Sequence, residues 1–173
     1  SSAPIEETTV ELWRKNYDVL AEGYFLTARA AFPLMKRMQA QGGSSIVFIG
    51  SKNGVAAATN ASAYASAKAA ANHLARCLAL EGAPSGIRVN VVNPDAVIRG
   101  SKIWDGDWRQ ERAGAHGIDP GAELEEHYRK RSMLGRDVLP EDIAEAVYFL
   151  ASDMSAKSTG NMINVDAGNA SAF

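Results

Sequence analysis

Three residues have the types and spacing for proton chemistry on a substrate oxygen. Tyr64 and Lys68 stand four positions apart in an alanine-rich run, and Ser51 lies thirteen residues before the tyrosine. On a helix, residues four apart share one face, one turn above the other. A free phenol titrates at about pH 10, too high for a base at neutral pH, but an adjacent ammonium favours phenolate and lowers that value. The spacing therefore predicts a tyrosine acid/base tuned by Lys68, with the Ser51 hydroxyl donating to the same substrate oxygen. Taken alone the pair is a weak signal, because an exposed tyrosine beside a solvated lysine has the same spacing.

The elements that must position these groups follow from periodicity. Residues 8–39 read as one long helix with Leu12, Val19, Tyr24, Leu26, Ala30 and Met35 at helical spacing, kinked at Pro33 and ended by Gly42 and Gly43. The β-branched run at 45–49 reads as a buried parallel strand that delivers Ser51 at its tip, where such sheets meet ligands. After a loop over 51–60, residues 61–81 form a helix carrying Tyr64 and Lys68, closed by Gly82 and Pro84. A second strand spans 87–92 and stops at Pro94. Residues 95–121, with Trp104, Trp108 and five glycines but no period, read as an extended surface excursion of the kind that forms lids. Helices at 123–131 and 140–152, the latter opened by Pro140-Glu141-Asp142, precede a third strand at 161–165. Strands alternating with helices define an α/β class: a Rossmann-like parallel sheet covered on both faces, with about three strands. A leading helix with no strand before it makes the chain read as the second half of a domain.

Composition narrows the partners. The 173 residues are 46% apolar and carry 18 basic against 20 acidic side chains, net charge −2, with no basic run. That excludes disorder and argues against nucleic acid. The single cysteine, Cys77, sits in an apolar helical pattern and reads as an inert thiol. No signal peptide or membrane span is read, and a reducing cytoplasm fits the cysteine usage. His116 and His127 are too isolated for a metal site, and a surface role is the expectation for both.

In order and spacing, Ile49-Gly50-Ser51, Ser62-Ala63-Tyr64-Ala65-Ser66-Ala67-Lys68, Ile87-Arg88-Val89-Asn90-Val91-Val92-Asn93-Pro94, Pro140-Glu141-Asp142-Ile143-Ala144 and Val165-Asp166-Ala167-Gly168 resemble the short-chain dehydrogenase/reductase family along essentially the whole chain. The resemblance implies hydride transfer between NAD or NADP and a small hydroxyl or carbonyl substrate. It makes Tyr64 the general acid/base and has Lys68 lower its pKa and hold the nicotinamide ribose. Ser51 then orients the substrate oxygen, and the segment Asn93, Pro94, Asp95 to Val97 runs beside the nicotinamide, the Val97 backbone bonding its carboxamide. The Asn93-Pro94 pair reads equally as a plain strand-ending turn.

Three residues depart from the family pattern: Leu20 stands where a catalytic asparagine is usual, Asp95 where a glycine follows the proline, and Arg99 where a phosphate-side threonine is common. No Gly-x-x-x-Gly-x-Gly turn opens a helix in these residues, so the chain as given is expected to bind dinucleotide poorly and to be inactive alone. The run from Asn93 to Gly106, with residues 123–129, resembles the dehydrogenase portion of bifunctional rhamnulose-1-phosphate aldolase/lactaldehyde dehydrogenases. That narrower resemblance implies lactaldehyde as substrate and an aldolase domain upstream. Residues 95–135 are then the substrate-binding excursion, with Trp104, Trp108, Arg109 and His116 as enclosing candidates, or else as surface aromatics packed on a neighbouring helix. The alternative is a dimerisation module without catalysis of its own, since the first helices resemble those through which the family forms homo-oligomers and the first strand would be an open sheet edge.

Overall fold

The computed structural model describes residues 3–38 and 43–169; the expectations for Gln39 and Gly42 lie outside these. Its centre is a three-stranded, all-parallel sheet in the order β1 (Ser44–Ile49), β2 (Ile87–Pro94), β3 (Met162–Val165). Ile87, Val89, Val91 and Val92 of β2 are essentially inaccessible, as a central strand buried on both faces requires. The strand runs two residues further than periodicity indicates and carries Asn93 and Pro94 within it.

One face is covered by α2 (Gly23–Arg37) and α3 (Ser62–Gly82). Ala67, Ala71, Ala75 and Ala79 form an i, i+4 stripe along α3, so this helix lies close against the sheet. Phe32, Phe48, Ile87, Val89 and Val91 fill the core beneath. A Cβ at Gly82 would meet Ile87 at 3.0 Å, which explains why the helix continues through this glycine and then turns at Gly86, whose φ is +69°. The opposite face carries α6 (Pro140–Ala151), started by Pro140 with the Asp142 carboxylate accepting from the Leu139 N–H at 2.8 Å. Its C-terminal carbonyls are taken by β2: Arg88 donates to Leu150 O and Ser155 Oγ at 2.8 Å each and to Ser152 O at 3.1 Å.

Two expectations change. The leading helix is not uniform: α1 (Val10–Asn16), capped by Thr9, passes through a π-helical turn at Tyr17–Glu22 into α2, which runs on through Pro33 without a break. The irregularity sits at the wider turn, where the Gly23 N–H reaches back to Asp18 O. The supposed extended excursion contains a 3₁₀ turn at Lys102–Trp104 and α4 (Asp107–His116), followed by α5 (Ala122–Arg131). These helices have almost no apolar stripe, so periodicity misses α4. They hold together around a small separate core of Trp104, Ala113 and Leu124. Among the described residues no helix is long and apolar enough to cross a membrane.

Candidate active site

At the C-terminal tips of β1 and β2 lies a cavity of about 500 Å³. The sheet brings Ser51, Pro94, Asp95 and Val97 to it, α3 brings Tyr64 and Lys68, and the α4–α5 unit closes it with Trp104, Trp108, Arg112, Tyr128 and Arg131. Ser51 is held from two sides. Its N–H donates to Asn93 Oδ1 at 3.0 Å, and its Oγ accepts from the Asn53 N–H at 3.1 Å, capping the 3₁₀ turn at Lys52–Gly54. The hydroxyl proton is thereby left to point elsewhere. The Ser51 side chain draws the pKa of Tyr64 down. Burial outweighs this, and with the Asp95 charge it leaves the phenol above its ordinary value.

Lys68 makes its hydrogen bonds elsewhere in this structure. Its ammonium donates to Ile49 O at 2.8 Å and Tyr24 Oη at 3.3 Å and lies 5.3 Å from the Tyr24 ring centroid. Its charge is not among the influences on Tyr64. Burial pushes Lys68 itself down to about 8. Helical spacing places the two residues on one face, but the long lysine stem reaches past the phenol to an acceptor at the strand end.

Asn93 stands apart from the cavity lining. It is fully buried and does not line the cavity; its amide accepts from Ser51 N and Asn72 Nδ2 and donates to Asn164 Oδ1 at 3.3 Å. Two strands and a helix meet on this side chain, which positions Ser51. Gly50 leaves room for the cluster, since a Cβ there would collide with Asn93 Oδ1 and stand 2.6 Å from Asn72 Oδ1. Asp95 does line the cavity, 3.8 Å from Lys52 Nζ and 2.5 Å from Asn169 Nδ2.

The excursion candidates separate. Trp104 and Trp108 face the cavity, Trp104 edge-on to Tyr128 at 5.5 Å. Arg109 is occupied structurally, donating to the Pro120 and Gly121 carbonyls and pairing with Glu125. His116 lies tilted against His127, ring centroids 4.3 Å apart, outside the lining, and Arg99 is exposed and does not line it either. No group of three or more His, Cys, Asp or Glu side chains could hold a metal among the described residues. Two residues escape motif reading. Asn16 lines the cavity one helical turn before Leu20, the signal being an asparagine in mid-helix. Tyr24 reaches Ile49 O at 2.5 Å, directly after the π-helical turn, a local irregularity that spacing does not reveal.

Comparison with known proteins agrees with this class of α/β oxidoreductase site. A family described as enoyl-(acyl carrier protein) reductase matches residues 1–170. The chain is 57% identical over 173 residues to an uncharacterized oxidoreductase, YuxG, of Bacillus subtilis (strain 168), covering 100% of this chain and 25% of that protein. Sorbitol-6-phosphate 2-dehydrogenase SrlD from Erwinia amylovora superposes with a TM-score of 0.90 at 30% identity, over 98% of this chain and 64% of that one. A 7α-hydroxysteroid dehydrogenase complexed with NADH and a 7-oxo bile acid superposes at 0.78 and 27% identity, over 98% and 59%. The chain belongs to the short-chain dehydrogenase/reductase family. It spans between a quarter and two thirds of the length of these relatives.

Proposed function

We propose that this chain supplies the acid/base side of a hydride transfer between NAD or NADP and a small hydroxyl or carbonyl compound. The observation that carries the reading is a serine hydroxyl, a half-buried phenol and a buried lysine that line one cavity together. Ser51, its Oγ already accepting from Asn53, donates its proton to the substrate oxygen. Tyr64, held above its ordinary pKa, stays protonated at neutral pH and gives its proton to the carbonyl oxygen during reduction. Oxidation of the alcohol runs the same path backward and gains as pH rises toward the phenol's titration. Lys68, near 8, titrates close enough to neutrality to return that proton.

The residues fit a nicotinamide riboside. An ammonium has three donors, and those of Lys68 find Ile49 O and Tyr24 Oη, leaving one without an acceptor among the described residues where a ribose hydroxyl fits. Pro94 and Val97 line the same cavity for the ring. When bound, that cofactor gives or takes the hydride. In this reading residues 1–173 are the C-terminal part of one dehydrogenase domain, dependent on preceding nucleotide-binding residues for turnover, with 95–135 enclosing the substrate. The narrower resemblance supports lactaldehyde as that substrate and an aldolase domain upstream. In the intact protein, Tyr64→Phe is expected to abolish turnover while cofactor affinity, followed by NADH fluorescence, stays within a few-fold. Turnover retained by the variant would remove Tyr64 from its role.

A second reading, self-assembly in the cytoplasm through the first helices, is favoured by the exposure of Val10, Val19, Phe25, Leu26 and Leu34.

A further inference from the structure

The charges lining the cavity do not balance. Lys52, Lys68, Arg112 and Arg131 face one carboxylate, Asp95, and that carboxylate already stands beside Lys52. The imbalance is greatest at the α4–α5 wall. Arg112 and Arg131 are both half-buried there, and both approach Tyr128. Arg112 Nε donates to the phenol oxygen at 3.3 Å while its guanidinium lies 5.7 Å from the Trp108 ring centroid. Arg131 lies 5.6 Å from the Tyr128 centroid. Among the described residues neither has a carboxylate within salt-bridge distance.

The shortage is local. The other arginines of the two helices take the available acids: Arg109 pairs with Glu125, and Arg129 with Glu126 and Asp137. What remains for Arg112 beyond Tyr128 is His116, whose Nε2 lies 3.3 Å from Nη2. That imidazole is pushed toward its neutral form by burial first and then by His127 and the two guanidiniums, so it relieves none of the positive charge. Half-buried guanidiniums fixed by aromatic faces, with N–H groups left over and no anion, form a preorganised fork for a planar or tetrahedral anion.

We propose that the substrate of this site carries a carboxylate or phosphate group, held by Arg112 and Arg131 while its hydroxyl or carbonyl carbon lies at Ser51 and Tyr64. The inference rests on the hydride-transfer reading and puts an anionic substrate in place of lactaldehyde, which is uncharged.

Binding is tested in the intact protein by tryptophan fluorescence, since Trp104 and Trp108 line the site. Inorganic phosphate and lactate are expected to give saturable changes, whereas propane-1,2-diol at equal concentrations does not. Arg112→Gln and Arg131→Gln should each weaken anion binding on the order of 10- to 100-fold. Arg→Lys variants, which keep the charge but lose the fork, should fall between, and circular dichroism checks that all of them fold. Turnover of glycerol 3-phosphate against glycerol then reads whether the bound anion belongs to the substrate. Equal response to the neutral diol, or anion binding unmoved by both Gln variants, overturns the proposal. So does a loss confined to NAD affinity with anion preference intact, which would give the pair to the cofactor's phosphates. Tyr64→Phe separates the two readings, because an inert Tyr64 sinks the acid/base role and leaves the anion titrations standing.

Discussion

Lys68 is 7% exposed and, among the described residues, has no carboxylate within salt-bridge distance, so the fold holds an ammonium largely stripped of water. At about 1.4 kcal/mol for each tenfold change in proton affinity, the fall from 10.5 to about 8 amounts to about 3 kcal/mol of stability lost when the amine is charged. The sign follows from proton counting. Between about 8 and 10.5 the unfolded chain binds more protons at this site than the folded one, so stability rises with pH through that window. Below about 8 both states carry the proton and the full cost is felt. Lys68→Met removes the titration but also the hydrogen bond to Ile49 O, a contribution of about 1.5–3 kcal/mol for a charged donor; that carbonyl keeps Tyr24 as its partner. Urea unfolding of the two chains, followed by tryptophan fluorescence at steps from pH 7 to 10.5, measures the difference. The wild type is expected to gain about 3 kcal/mol on the variant across the window. A difference that stays flat, or that moves the other way, would refute the claim that Lys68 is buried against its desolvation cost, and with it the argument for a lysine able to exchange protons near neutrality.

Gly50→Ala should destabilise the chain by about 1–3 kcal/mol, because its Cβ enters the Asn93–Asn72 cluster; it should also cut turnover of the intact protein by displacing Ser51. Chemical denaturation and steady-state rates check both parts. Phe25→Glu and Leu26→Glu, on the exposed face of the leading helix, should lower the mass of the intact protein by light scattering, and an unchanged mass would remove that face from assembly.

Much of the fold was readable because its signals are strong. The β-branched runs of β1 and β2, the alanine stripe of α3 and the Pro140 start of α6 all encode one dominant period or cap. The placement of Ser51 and Tyr64 in one cavity follows from a strand tip and a helix start joined by a single loop. What escaped is what depends on side-chain reach or on polar packing. Lys68 is four residues from Tyr64, yet its amine bonds to a carbonyl released by β1, which spacing cannot specify. Asn93 looks like a ligand because it ends a strand, and only the register of three elements shows it to be a structural joint. The α4–α5 wall is written almost wholly in charged residues, so which arginines are paired and which are left over emerges only in three dimensions.

The clamp of Arg88 on the carbonyls that end α6 fastens the rim of the sheet opposite the cavity. At the cavity rim, by contrast, the segment from Arg99 to Asp137 leans on its own small cluster around Leu124. Anchorage and selectivity therefore reside in separate regions of one chain. The helical flap can be exchanged or rewritten while the bolted scaffold, with Ser51, Tyr64 and Lys68, stays as it is.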